Sequence, residues 1–147
     1  MTYSLPLLIA SDHAGFHLKK FLIKKAPEQN WKDLGPKTSD RTDYPLWAEK
    51  LCRHIQPQLF GILICGSGQG MTMKANRYPY IRAALCLNQT AAHLARLHND
   101  ANILCLASRM IAPEKALKVL HTFLSTDFNK TDPAYERRIH QLSIPRV

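Results

Sequence analysis

The chain lacks most of the short signatures that announce a function. It contains no Gly-Lys pair, which excludes the phosphate loop G-x-x-x-x-G-K-S/T. None of its four cysteines (Cys52, Cys65, Cys86, Cys105) stand in C-x-x-C spacing, so zinc and redox-dithiol frames are not supported. No apolar run approaches the ~20 residues that a membrane span requires. The opening "MTYSLPLLIASDHAG" has no basic segment, and its short apolar run meets Asp12 and His13, so it reads as a first strand and not as a signal peptide. Thiols in such a chain fit a reducing, cytoplasmic setting. Acidic residues are also scarce, 11 against 20 Lys and Arg, for a net charge of +9. Lys19, Lys20, Lys24 and Lys25 on one helix, with Arg137, Arg138 and Arg146 near the end, raise a nucleic-acid reading. Aromatics do not interleave with these charges and no nucleic-acid module is present. The lysines read instead as a solvated helix face, and the positive field suits small anions such as phosphate esters.

What is present is alternation. Strands are expected at about Leu5–Ala10, Trp31–Leu34, Phe60–Cys65, Ile81–Leu87 and Asn102–Ala107. Helices are expected near Gly15–Lys25, Tyr44–Ile55, Gly70–Asn76, Thr90–Leu97, Pro113–Ser125 and Ala134–Leu142. The runs "PLLIA", "FGILIC" and "NILCLA" are apolar without alternation, as strands covered on both faces require. The pattern predicts one α/β domain over residues 1–147, a three-layer αβα sandwich around a doubly wound, Rossmann-like, five-stranded parallel sheet. No repeat, low-complexity stretch or linker interrupts it. Ligands of such sheets bind beyond the carboxyl ends of the strands. Those ends carry "SDHAG", "DRTDYP", "CGSGQG", "NQT" and "ASRM".

Glycine is scarce, six residues in all, yet three of them fall between Gly66 and Gly70 directly after a strand that ends in Cys65. The dinucleotide fingerprint G-x-G-x-x-G would need glycine at Met71, so this loop matches neither nucleotide motif. Cys65 at a strand end, facing helix-N-terminal amides, is placed to act as a thiolate. The glycines let backbone N–H groups converge on an anion such as a phosphate or an enediolate oxygen, and Ser67 among them can relay a proton. Cys52, Cys86 and Cys105 read as buried core residues. Asp12 and His13 alone would read as a cap and a first-turn histidine. "HNDAN", His98 to Asn102, lies between a helix and the fifth strand, and the His98 imidazole can act as acid or base. Arg109 and Arg138 can grip a phosphate. His17, His54, His93, His121 and His140 read as surface or packing residues.

Taken together, "SDHAG", "DRTDYP", "ILICGSGQG" with Ala75–Asn76, "HNDAN" and "ASR" make the chain resemble the type B ribose-5-phosphate isomerases. Their relatives include galactose-6-phosphate isomerase subunits and allose-6-phosphate isomerases. The resemblance runs from about Leu7 to Ile139. It implies an aldose–ketose isomerase of the pentose phosphate pathway, interconverting ribose 5-phosphate and ribulose 5-phosphate. By this resemblance Cys65 moves a proton between two carbons of the open sugar, and the amides of Gly66, Gly68, Gln69 and Gly70 cradle the enediolate beside Ser67. His98 opens the furanose ring, Asp12 meets sugar hydroxyls, Tyr44 lines the pocket, and His13, Arg109 and Arg138 contact phosphate.

The resemblance further implies a homodimer or homotetramer with shared sites, in which His98, Asn99 and Arg109 reach a neighbour and the C-terminal helix packs toward a partner. It implies no metal, no cofactor, no nucleic acid and no membrane. Met71 stands where one branch carries a glutamate base, which indicates the thiol version. Ala134 and Tyr135 replace an arginine and a histidine common in the family, so one phosphate clamp is missing. Arg137 cannot simply fill the vacancy, because adjacent helical residues point about 100° apart. Two further readings stand beside this one: the same chemistry on a six-carbon sugar phosphate, and a sugar-phosphate-binding protein without turnover.

Overall fold

The structure is a computed structural model that describes residues 4–143; Arg146 lies outside them. Strand and helix alternate as β1 (Leu7–Ser11), α1 (Phe16–Lys25), β2 (Trp31–Asp33), α2 (Tyr44–His54), β3 (Phe60–Cys65), α3 (Gln69–Ala75), β4 (Ala83–Leu85), α4 (Gln89–Asn99), β5 (Ile103–Ala107), α5 (Pro113–Ser125) and α6 (Pro133–Ser143). All strand pairs are parallel, in the order β2-β1-β3-β5-β4. The uninterrupted apolar runs form the three interior strands, where both faces are covered. The edge strands β2 and β4 are only partly buried and hold three residues each.

Register assigns each side chain to a face. Ile9, Ile62 and Leu104 lie opposite one another and pack with Leu18 and Leu22 of α1, Ala92 of α4, and Val119, Leu120 and Phe123 of α5. The next row, Ala10, Leu63 and Cys105, points the other way, onto Ala48, Leu51 and Cys52 of α2 and Met71 and Ala75 of α3. Two cores therefore sandwich one sheet, and Cys65 belongs to the α2–α3 side. Each fully buried Leu or Ile in these rows contributes about 1.5–3 kcal/mol.

Two expectations are corrected. The fourth strand is shorter than expected: only Ala83–Leu85 of Ile81–Leu87 pairs, at the sheet edge beside β5. Lys19 is not part of a solvated face. It is fully buried, and its ammonium donates to Asp33 Oδ1 at 2.7 Å and to the Pro36 carbonyl at 2.7 Å. Burial pulls its pKa down, and the Asp33 carboxylate opposes that shift. Lys20, Lys24 and Lys25 are exposed, as are His17, His54, His93, His121 and His140.

The topology also locates the site. From β1 the chain runs outward to β2 and then returns to pair β3 on the other side of β1. The loops after β1 and β3 thus diverge to opposite faces and leave a crevice between them, the switch point at which open parallel sheets bind ligands.

Candidate active site

Beyond that switch point lies a solvent-open cleft of about 270 Å³ lined by Asp12, His13, Tyr44, Cys65, Gly66, Ser67, Gly70 and Arg109, together with Ala14 and Met110. The loop after β1 is pinned by the Asp12 carboxylate, whose Oδ1 accepts the Gly15 N–H at 3.0 Å, while the Asp12 N–H donates to Ile64 O at 3.1 Å. Asp12 therefore shapes its own turn and lines the cleft at once. His13 Nδ1 lies 3.1 Å from Thr42 O and 3.3 Å from Thr42 N, which ties the imidazole to the segment that leads into α2. Asp43 caps α2 in an extended conformation and Pro45 sits in its first turn, so the helix begins at Tyr44 and projects that ring into the cleft.

Cys65 sits at the centre, 4% exposed, and its Sγ accepts the Gly68 N–H at 3.2 Å. Burial pushes the Cys65 thiol above its ordinary value and the Asp12 carboxylate adds to that, while the amides of Met71, Gly68 and Ser67 pull in the opposite direction. Burial outweighs the amides here, so the thiol keeps its proton at neutral pH. Cys52, Cys86 and Cys105 are pushed up to about 12 by burial, and none of them is held by backbone amides. All four cysteines are free.

The three loop glycines serve different neighbours. A side-chain carbon at Gly66 would lie 3.1 Å from an Arg109 guanidinium nitrogen, so Arg109 rests directly on the loop backbone. Gly68 has φ +74°, and a side-chain carbon there would run into the Leu85 side chain and lie 3.3 Å from the Leu106 backbone. Gly70 faces the Tyr44 ring, which fills the space of any side chain there. Gly68→Ala should accordingly cost about 1–3 kcal/mol of stability from backbone strain alone. Gly70→Ala should be nearly neutral in thermal unfolding, because Tyr44, 40% exposed, can swing out, while substrate KM rises. Equal losses of stability in the two variants would contradict this division.

Residues that sequence reasoning passed over complete the frame. Ser108 Oγ lies 2.9 Å from Ala14 O and 3.1 Å from Cys65 O, and the Ser108 and Arg109 amides donate to Cys65 O and Gly66 O at 2.9 and 3.0 Å. One residue thereby laces the loops after β1, β3 and β5. "ASR" held that signal, but only the arginine was given a role. Met110, 61% exposed at the mouth, carried none.

The remaining expected residues do not all come together. Arg109 lies in the cleft of its own subunit, because the β5 loop runs beside Gly66. Gln69 contributes its amide, which donates to Ser67 Oγ at 3.3 Å, and the residue also lines a separate surface hollow with Met73, Asn76 and Arg77. His98 and Asn99 form the last turn of α4 and not a loop, since the helix continues until Asp100 takes φ +45°. That end is held by two arginines: Arg82 and Arg96 each pair with the Asp100 carboxylate, at 2.9 and 2.7 Å. Because α4 leads into β5, its last turn lies at the amino end of the sheet, and the five residues of β5 put about 16 Å of strand between it and the cleft. His98 stacks on Tyr135 of α6, and Arg138 lies 6.0 Å from the same ring.

A thiol beneath converging amides, a carboxylate, a hydroxyl and a guanidinium form a site suited to moving a proton on an anionic substrate. The sequence pattern of the ribose/galactose isomerase family matches residues 7–142. The chain belongs to this family. Its relatives include a probable ribose-5-phosphate isomerase B of Mycoplasma pneumoniae, 45% identical over 128 residues that cover 84% of each chain. The fold of this family member superimposes on a ribose 5-phosphate isomerase from Thermotoga maritima with a TM-score of 0.91 and 43% identity, covering 96% of this chain and 99% of that one. It also matches the Mycoplasma genitalium ribose-5-phosphate isomerase B, solved with bound ribulose-5-phosphate, with a TM-score of 0.85 and 38% identity over 95% of each chain. Within the family frame, the cleft holds the thiol and one arginine, and the histidine of "HNDAN" stands at the far end of the same subunit.

Proposed function

We propose that the chain interconverts ribose 5-phosphate and ribulose 5-phosphate through an enediolate, in a cleft completed by a second subunit. The observation that carries this reading is the Cys65 thiol held under the Gly68 amide, between Asp12 and Arg109. Mere binding of a sugar phosphate needs no thiol at that point. The family relatives named for this activity, one of them solved with ribulose-5-phosphate, support the substrate.

The chemistry follows from the groups. His98 of the adjoining subunit exchanges protons with the ring oxygen and frees the open aldehyde. Cys65, as thiolate, takes the proton from C2, and the electrons of that C–H bond form the C1–C2 double bond of the enediolate. The loop amides hold the oxygen on which negative charge gathers. Cys65 then returns that proton to C1 while the proton of the C2 hydroxyl passes to the C1 oxygen, with Ser67 as relay, so that C1 is reduced and C2 oxidised within one molecule. Asp12 meets sugar hydroxyls and Tyr44 forms a wall. His13 and Arg109 of one subunit hold the phosphate with Arg138 of the other.

The same geometry supports a site shared between subunits. In one subunit His98 cannot reach Cys65, and the exposed apolar rim of the cleft, Tyr44 and Met110, fits cover by a second copy. Among the described residues no helix is long and apolar enough to cross a membrane, and four free thiols suit a reducing cytoplasm.

A coupled isomerase assay tests the substrate, with ribose 5-phosphate and allose 6-phosphate offered to one preparation. Higher kcat/KM on the pentose is expected. A preference for the hexose would move the assignment to the six-carbon branch, where the missing clamp at Ala134 would find its meaning. Binding without turnover of either would leave a sensor.

A further inference from the structure

The position of His98 is over-determined in a way that the reaction scheme alone does not require. Its backbone end is fixed by the Arg82–Asp100–Arg96 clamp. Its ring is met by Tyr135, with ring centroids 4.6 Å apart and planes 13° from parallel. A chain of hydrogen bonds delivers that tyrosine. The Arg96 Nε–H donates to Thr126 O at 3.2 Å, and the Asn129 N–H donates to Leu97 O at 2.9 Å, so the segment after α5 is stitched to the last turn of α4. Asn129 Oδ1 then accepts from the Thr131 N–H at 2.9 Å, and Asp132 Oδ1 accepts from the Ala134 N–H at 2.8 Å, which starts α6. Tyr135 is half-buried on a helix whose other described side chains are mostly exposed. One ring thus contacts the imidazole on α4 and, at 6.0 Å, the Arg138 guanidinium one turn along α6.

We infer that Tyr135 is a positioning residue for ring opening: its stacked ring sets the plane of the His98 imidazole and seats Arg138 beside it, so that proton donor and phosphate grip reach the substrate as one unit. This inference rests on the reading of His98 as the ring-opening group. The physical reason is orientational. An imidazole on a solvent-facing helix end samples several rotamers, and proton transfer to a ring oxygen succeeds from few of them. A parallel aromatic neighbour removes the others. Stacking needs the ring and not the hydroxyl, so phenylalanine should replace Tyr135 and alanine should not. The ring oxygen and the phosphorus of ribofuranose 5-phosphate and of an aldopyranose 6-phosphate are separated by the same number of bonds, so the effect should fall on ring opening and not on chain-length preference.

The test uses the full chain with Tyr135→Ala, Tyr135→Phe and His98→Asn. First, the His98 Cε1–H resonance should be shifted upfield by the tyrosine ring current in the wild type, keep that shift in Tyr135→Phe and lose it in Tyr135→Ala. Second, rates from ribose 5-phosphate are followed as enzyme is added, past the spontaneous ring-opening rate. Tyr135→Phe should match the wild type, while Tyr135→Ala should show a ring-opening contribution reduced roughly three- to tenfold, the range that the energy of an aromatic pair supports. Rates from ribulose 5-phosphate, where no ring opens, should stay proportional to enzyme in both variants and report an intact fold. If His98→Asn stops at the spontaneous ceiling while Tyr135→Ala behaves as wild type, the inference fails and the role of His98 stands. If His98→Asn also exceeds the ceiling, the ring-opening reading fails and the inference falls with it.

Discussion

Cys65→Ala is expected to lower turnover roughly 10²- to 10⁴-fold, the range that a positioned acid–base group supplies, with KM little changed. The split follows from what the thiol touches. Cys65 lies at the floor of the cleft and its Sγ accepts the Gly68 N–H, so its removal leaves Asp12, His13, Tyr44 and Arg109 in place to bind substrate. The lost interaction belongs to the transition state. Cys52→Ala, Cys86→Ala and Cys105→Ala should show packing losses of about 1 kcal/mol and near-normal turnover, because burial keeps those thiols protonated.

The same thiol predicts a pH dependence whose sign is fixed. Its pKa is raised by burial and by Asp12, so the thiolate is a minor species at neutral pH and grows about tenfold per unit as pH rises. Alkylation of Cys65 by iodoacetamide should therefore accelerate from pH 6 upward with no plateau below about pH 8.5, the ordinary thiol value. A plateau near neutrality would mean that the amides outweigh burial. The measurement is best kept below about pH 9. Thiols with raised folded values lose their stabilising contribution as pH climbs from the unfolded value of about 8.5 toward the folded one.

Mixing two impaired proteins should restore conversion of ribose 5-phosphate beyond the spontaneous ring-opening rate. Cys65→Ala retains His98, and His98→Asn retains Cys65. After subunit exchange, a mixed dimer would join the thiol of one chain to the imidazole of the other in one complete site, with its second site lacking both. Random exchange would complete about one quarter of all sites in a two-fold assembly. The reason is distance: α4 ends at the amino edge of the sheet and the cleft opens at the carboxyl edge, with β5 between them. Activity that stays at the level of the two parents after confirmed exchange would mean that each subunit acts alone.

Much of this was legible in the residues. The contiguous runs of β1, β3 and β5 announced interior strands, and the polar ends of those strands named the cleft before any geometry. What stayed hidden has physical causes. Apolarity reports burial but not adjacency, so nothing in "NILCLA" told that β5 would insert between β3 and β4. Lys19 shares a 3.6-residue stripe with Leu18, Leu22 and Ala26, a signal of burial that its charge overrode, and its partners Asp33 and Pro36 come from a distant segment. "HNDAN" reads as a turn because Asn and Asp favour turns, yet His98 and Asn99 remain helical until Asp100 adopts positive φ under its two arginines. Thiol chemistry was the hardest to read. The glycine loop promised amides at Cys65, which the structure provides, but the opposing burial depends on packing from α2 and α3 that no local pattern displays.

The most direct test of the enediolate account is to convert ribose 5-phosphate in D2O and to follow the product by proton NMR. The cleft is open to solvent, so the proton taken by Cys65 exchanges before it is returned, and ribulose 5-phosphate should appear with deuterium at C1. Conversion with no deuterium at C1, even in part of the product, would point to direct hydride transfer and contradict the account, and absence of ribulose 5-phosphate would remove the isomerase reading itself.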